Sequence, residues 1–438
     1  MKKILTILLL LSLPVFSQSL NKVYILSEGG FSAGTSMLSM IEMPGNNFTQ
    51  SIFSPGNIGL TPDGLVYYEN NLYLTEQGNY GGAGKIYKLD TLGTVIASQE
   101  VGTNPYSLAI SNGKIYMTNG PANTVSVVNA EDFSSVTEIN VGVYPQEILA
   151  YENYVFVANT RFGSDVDSTV MVINSATDEI IDTIVVDPDP ASLAITNDNF
   201  LLIGCSVYGS GGEAIFKVNL NTFAKVDTFT VADYGFGKDI FVDKNSDKIY
   251  YIGSTGNIVS FDLESGETAL EVSDDNLVTV YGYGYDYINQ THYVLDAKDY
   301  ASNGSLTTYN SEGTLLNTYE TSICPRRVLF KYSGDVTDVE EISELPQEFV
   351  LEQNYPNPFN PTTKIRFNVG DANFASQTNV LLKVYDVLGK EVTTLVNEQK
   401  AAGTYEVEFD ASALSTGVYL YILRAGDFVS TRKMLLLR

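Results

Sequence analysis

The chain has 438 residues, with 52 acidic against 25 basic side chains, a formal net charge of −27, one histidine, two cysteines and no tryptophan. Between positions 18 and 340 there are 40 acidic and 14 basic residues, a field that repels phosphate backbones and anionic lipid and so excludes nucleic acid as a partner. A lone histidine leaves little for a transition metal, and Cys205 and Cys324 are too few for a disulfide framework; buried free thiols are expected.

In chain order, Lys2 and Lys3 precede an apolar run from Ile4 to Val15, and Ser17 is a small residue just before Gln18. This is the layout of a cleavable secretory signal over residues 1–17. About a dozen apolar residues are too few for a bilayer-spanning helix, and no later run is longer, so no transmembrane segment is expected.

The middle of the chain repeats. Pro62-Asp-Gly-Leu-Val-Tyr67, Pro105-Tyr-Ser-Leu-Ala-Ile110, Pro145-Gln-Glu-Ile-Leu-Ala150, Pro190-Ala-Ser-Leu-Ala-Ile195, Gly237-Lys-Asp-Ile-Phe-Val242, Val280-Tyr-Gly-Tyr-Gly-Tyr285 and Pro325-Arg-Arg-Val-Leu-Phe330 follow one another at 43, 40, 45, 47, 43 and 45 residues. A period of this length made of short strands predicts four-stranded propeller blades. The N-terminal Lys22–Leu26 reads as a second strand and Pro325–Tyr332 as a first strand, so the two ends of residues 18–332 are expected to complete one blade. The fold class is all-β: a seven-bladed β-propeller, with six blades as the runner-up, followed by an immunoglobulin-like β-sandwich. Gly102-Thr-Asn-Pro-Tyr-Ser-Leu-Ala-Ile110, Gly113-Lys-Ile-Tyr116 and Tyr116-Met-Thr-Asn119 resemble the bacterial surface propellers of the YVTN type, although no repeat carries that tetrapeptide in full. The resemblance implies a surface location and, for some relatives, capture of cobalamin.

Residues 333–345 are expected to be a mobile acidic linker, and residues 346–438 a small sandwich, because apolar and polar residues alternate in Lys364–Val369, Tyr405–Phe409 and Val418–Leu423. This tail carries Asn354, Pro356, Asn357, Pro358, Phe359, Asn360 and Pro361, then Gly389, Gly403, Gly417 and Tyr419, and ends Lys433-Met-Leu-Leu-Leu-Arg438. In order and spacing it resembles the type A C-terminal sorting domain of the type IX secretion system of Bacteroidota and their relatives. The resemblance implies a secretion translocon as partner and a secreted or outer-membrane surface location. An ordinary accessory sandwich is the other reading.

Within the repeats, the connections between second and third strands are long and rich in glycine and aromatics: Glu28 to Thr35, Glu76 to Gly84, Arg161 to Ser168, Ser206 to Glu213 and Ala297 to Gly304. In a propeller these share one rim with the links between blades, and loops longer than their connection requires usually serve a ligand. The candidate site is therefore that face around the channel. Tyr80, Tyr106, Tyr144, Phe162, Tyr208, Tyr234, Phe236 and Tyr300 would supply flat contacts, with Gln146, Lys238, Arg326 and Arg327 as polar anchors. Tyr281, Tyr283, Tyr285 and Tyr287 are expected to share one strand face and pack between blades.

No cofactor is called for. Asp165 with Asp167 and Asp187 with Asp189 offer oxygen ligands of the kind calcium takes, but that spacing is common in turns. His292, at the start of a second strand, reads as a packing residue, and no nucleophile elbow, phosphate loop or paired-cysteine zinc motif is present. The reading is a secreted or surface binding protein of unknown ligand. The alternatives are a structural or adhesive scaffold and a cobalamin-capture propeller; a glycan-active enzyme has the least sequence support.

Overall fold

The computed structural model describes residues 18–30, 34–55, 64–134, 136–206, 214–231, 233–333, 350–351, 354, 357–369, 378–386, 390–400, 403–412, 414–425 and 428–437. The signal segment 1–17, the linker beyond Ser333, Tyr208, Pro356, Gly389 and Arg438 lie outside the described residues. The chain divides into two compact units, Met1–Thr337 and Asp338–Arg438.

In the first unit the described strands form seven four-stranded antiparallel sheets. Their inner strands are Leu65–Tyr68, Pro105–Ser111, Pro145–Tyr151, Pro190–Ile195, Lys238–Val242, Val280–Asp286 and Pro325–Tyr332, each adjacent to the next and the last adjacent to the first. That closed cycle is a β-propeller. The closing sheet has the order Asn47–Phe53, Met37–Glu42, Leu20–Ser27, Pro325–Tyr332, so strands from both ends of the unit pair and no inner edge is left open.

The second strands read as nearly continuous apolar runs because both of their faces are buried. Seven apolar clusters lie one at each junction between neighbouring sheets. Alternate residues of one strand serve opposite neighbours: Tyr24 and Leu26 enter one cluster, Val23 and Ile25 the next. Each such side chain stabilises the ring by about 1.5–3 kcal/mol. The tight hairpins into the outer strands share one device. Side-chain oxygens of Asp90, Asn129, Asn174, Asn219, Asp262 and Asn310 each accept the backbone N–H two residues on, an Asx turn repeated around the ring.

The second unit has a three-stranded sheet, Val350–Leu351, Thr362–Val369 and Gly403–Asp410, and a four-stranded one, Glu391–Lys400, Thr378–Asp386, Gly417–Ala425 and Phe428–Leu436. Ile365, Phe367 and Phe409 of one meet Leu382, Val384, Tyr421, Leu423 and Met434 of the other in a single core. Phe359 is 2% exposed in that core. Its N–H donates to the Leu435 carbonyl at 2.9 Å and its carbonyl accepts from the Leu437 N–H at 3.0 Å, while Asn357 Oδ1 accepts from the Leu435 N–H at 2.8 Å. The proline-rich lead-in and the chain's last strand are thus one structural piece. Asn354 is buried, its Nδ2 donating to Thr363 Oγ1 at 3.0 Å, and the Tyr419 hydroxyl donates to the Ser415 carbonyl at 2.8 Å.

Candidate functional site

The inner strands begin in a way that aims side chains into the channel. Four start with proline, which is tolerated at the first strand position, and each proline follows a residue at positive φ: Asn104 at 50°, Tyr144 at 46°, Asp189 at 57° and Cys324 at 52°. Immediately after the start, six inner strands shift register against their second strand by one extra residue: at Pro105/Leu108, Pro145/Ile148, Pro190/Ser192, Lys238/Phe241, Val280/Gly282 and Pro325/Arg327. A β-bulge of this kind turns a side chain out of its alternation. The second residues of the repeats are Tyr106, Gln146, Ala191, Lys238, Tyr281 and Arg326, and most of them carry the site.

A cavity of about 260 Å³ opens at the mouth of the ring. Tyr80, Tyr106, Tyr144 and Gln146, all selected from the sequence, line it together. Gln77, Asn104, Gly120 and Pro145 complete the near side, while Glu28 reaches in from the closing sheet and Tyr281 from the sheet before it, which is not a neighbour of the sheets carrying Tyr80, Tyr106 and Tyr144. Asn104 holds the Glu76–Gly84 loop down: its Nδ2 donates to the carbonyls of Gln77 and Asn79 at 3.0 and 2.9 Å, and its Oδ1 accepts from the Gly81 N–H at 2.6 Å. Tyr144, an aromatic residue held at positive φ, stacks on Phe162 with centroids 5.2 Å apart. Its ring also lies against Gly120, where a Cβ would come within 3.1 Å. Burial, and then the neighbouring Tyr80, raise the Tyr144 pKa, so its phenol stays protonated. Tyr80 and Phe162 stand exposed at the rim, 71% and 52% accessible.

Beside the cavity the channel is spanned by charges. Arg326 Nη1 donates to Asp239 Oδ2 at 2.7 Å and Arg326 Nη2 lies 3.6 Å from Glu147. Arg327 pairs with Glu147, and its Nη1 is 3.8 Å from Asp239. Arg326 and Asp239 are 5% and 4% exposed. The Lys238 ammonium sits 4.1 Å above the Tyr281 ring, whose hydroxyl donates to Glu28 Oε2 at 2.9 Å. Tyr300, 52% exposed, meets Tyr281 edge-on at 5.4 Å. Burial, then Cys324 and Glu28, raise the Tyr300 pKa.

Several expected residues are placed elsewhere. Phe236 is fully buried, packs on Tyr251 at 5.6 Å and occupies the space left by Gly204, where a Cβ would come within 2.2 Å of its ring, so it belongs to a core between sheets. Tyr234 is half-buried against that same core. Arg326 and Arg327 are engaged with carboxylates rather than open anchors. Tyr283 and Tyr285 pack between sheets as expected, but Tyr281 does not share their face, because the bulge between Val280 and Gly282 turns it into the mouth. Glu28, Gln77, Glu147 and Asp239 were missed. Aligning the repeats would have found Tyr281 at the second position beside Tyr106 and Gln146, and Glu147 and Asp239 together at the third.

His292 is 1% exposed, with Tyr283 Oη 2.8 Å from Nδ1, and burial lowers its pKa to about 4. Both cysteines are free and buried, and burial is the first cause pushing the Cys205 thiol up to about 12 and the Cys324 thiol up to about 11. Among the described residues no group of three or more His, Cys, Asp or Glu is placed to hold a metal ion. Asp167 is used structurally, accepting from the backbone N–H groups of Val143 and Ser168 at 2.8 and 2.7 Å. No helix of the described residues is long and apolar enough to cross a membrane.

Fold and mouth together define a β-propeller whose channel opening is an aromatic-lined cup, followed by a β-sandwich. The chain belongs to the family described as Domain of unknown function (DUF5074), whose model matches residues 21–285. Residues 353–437 match the Secretion system C-terminal sorting domain, which marks the chain for export by the type IX route to the cell surface or beyond. Among solved structures, a quinonprotein alcohol dehydrogenase-like protein from Bacteroides thetaiotaomicron is similar at 14% identity and a TM-score of 0.56, over 70% of this chain and 78% of that one. The hydrazine synthase of Kuenenia stuttgartiensis is similar at 14% identity and a TM-score of 0.52, over 62% of this chain and 91% of that one. These likenesses concern the fold alone. No curated protein matches the chain.

Proposed function

We propose that the mature protein is a surface-displayed or released propeller that captures a ligand in its channel mouth, a binding module and not an enzyme. The observation that carries this is convergence: Tyr80, Tyr106, Tyr144 and Gln146, on three different repeats, line one cavity of about 260 Å³. Flat aromatic walls with a few polar groups are what small-molecule recognition uses. The strained backbone at Tyr144 adds weight, since such conformations persist where the surroundings hold them for a purpose. Removal of residues 1–17 on Sec export, followed by type IX secretion, delivers the propeller outside the cell. The resemblance of its repeat motifs to the YVTN-type surface propellers supports this reading.

The test is thermal unfolding of residues 18–438 against calcium, cobalamin, haem and oligosaccharides. A ligand bound only by the folded state raises the midpoint, by about 2.7 kcal/mol of added stability at one hundred times its Kd. The expected result is a shift with one class that Tyr106→Ala and Gln146→Ala both abolish. No shift with any, or one that survives both substitutions, would leave a structural or adhesive display unit as the reading.

A further inference from the structure

We infer that the occupant of the mouth is the end of a neutral oligosaccharide chain, an inference that rests on reading the mouth as a ligand site. The first support is charge. The protein as a whole is strongly acidic, yet the charged groups gathered at the mouth cancel: Lys238, Arg326 and Arg327 against Glu28, Asp239 and Glu147. An anionic ligand meets the repulsion of the whole molecule. A cation meets Lys238 and Arg326, already seated 4.1 and 5.9 Å from the Tyr281 ring that would otherwise hold it.

The second support is the polar inventory. Among the described residues the side-chain amides of Gln77 and Gln146 and the hydroxyls of Tyr80 and Tyr144 make no hydrogen bond within the protein, although all four residues line the cavity. An amide carries both donors and an acceptor, and a phenol hydroxyl is both at once. A surface offering donors and acceptors intermixed, without net charge, matches vicinal hydroxyl groups, while the tyrosine rings match the C–H face of a pyranose. The third support is shape. The charge cluster beside the cavity ties together inner strands from three sheets across the channel, so a chain enters by its end. The exposed rings of Tyr80 and Phe162 flank Tyr144 at the rim and lie where the following sugar units would run.

The chain has no tryptophan, which makes the experiment direct. Tyr80→Trp in the residue 18–438 protein places a single indole at an exposed position on the rim. Its emission is titrated with β-1,4-linked gluco-, xylo- and manno-oligosaccharides and α-1,4-linked gluco-oligosaccharides of one to six units, with oligogalacturonate and choline as charged probes. The expected result is saturable binding of at least one neutral series, tightening at least tenfold between one and three units and then levelling. Adding Gln77→Ala and Gln146→Ala together should weaken it at least tenfold without lowering the thermal midpoint, since neither side chain has a partner to lose. Absence of binding by all four neutral series overturns the inference. If choline or oligogalacturonate binds instead, or cobalamin or haem shifts the midpoint in a way that Gln146→Ala abolishes, the glycan assignment fails while ligand capture stands. If every probe is silent in both assays, both fail.

Discussion

Replacing Arg326 with methionine tests the charge cluster that ties the inner strands together. Methionine keeps much of the side-chain volume and removes the guanidinium. Asp239, 4% exposed, then retains only the 3.8 Å approach of Arg327 in place of its 2.7 Å hydrogen bond. Removing one partner of a buried pair leaves an uncompensated charge and costs about 3–5 kcal/mol. With a urea slope of roughly 3 kcal/mol/M, the unfolding midpoint should fall by about 1–1.7 M; at about 2 °C per kcal/mol, the melting temperature should fall by about 6–10 °C. The partner substitution is Asp239→Asn, chosen because φ at 239 is +57°, a conformation asparagine tolerates. The double variant restores neutrality and should be more stable than the sum of the single losses predicts by at least about 1.5 kcal/mol. Single variants that each lose under about 1 kcal/mol, or a double variant that is simply additive, would refute the reasoning.

Gly84→Ala and Gly304→Ala place a methyl 2.3 and 2.4 Å from the Cδ atoms of Pro105 and Pro325; each should lower stability by about 1–3 kcal/mol through overpacking at a junction between sheets, read as a drop in urea midpoint at unchanged slope. His292 is held neutral, with a folded-state pKa of about 4 against an ordinary 6.5. The unfolded chain therefore takes up the proton first, and this group's stabilising contribution, present above pH 6.5, is lost as pH falls towards 4 and amounts to roughly 3 kcal/mol. The difference in unfolding free energy between wild type and His292→Phe should shrink across that window, and a parallel pair of curves would contradict the assignment. In the sorting domain, deleting Lys433 to Arg438 removes the backbone bonds that clamp Phe359 and should strand the protein in the periplasm; undiminished surface delivery, scored by protease access on whole cells, would contradict the address reading.

Much of this molecule is legible in one dimension because its constraints are local and repeated. The forty-odd-residue period, the doubly buried second strands and the Asx residues at the outer hairpins are each set by near neighbours in the chain. They predict the sheets, the closing pair of Lys22–Leu26 with Pro325–Tyr332, and the rim where Tyr80, Tyr106, Tyr144 and Gln146 meet. The tail is legible for the same reason, since its motifs lie in fixed order along the strands of one sandwich.

What the tertiary structure alone decided is which rim residues are free and which are spent. Phe236 and Tyr144 look alike as loop aromatics, yet one fills the space over Gly204 and the other lines the mouth. Arg327 and Glu147 are 180 positions apart, and Tyr281 and Glu28 are 253 apart. Those pairs depend on ring closure, which sets the closing sheet beside the one that carries Tyr281 and across the channel from the one that carries Glu147. A single extra residue at each bulge then decides whether a side chain at the second position of its repeat faces a neighbouring sheet or the channel. Such a one-residue shift leaves no mark in composition or periodicity, because it acts between strands and not along them.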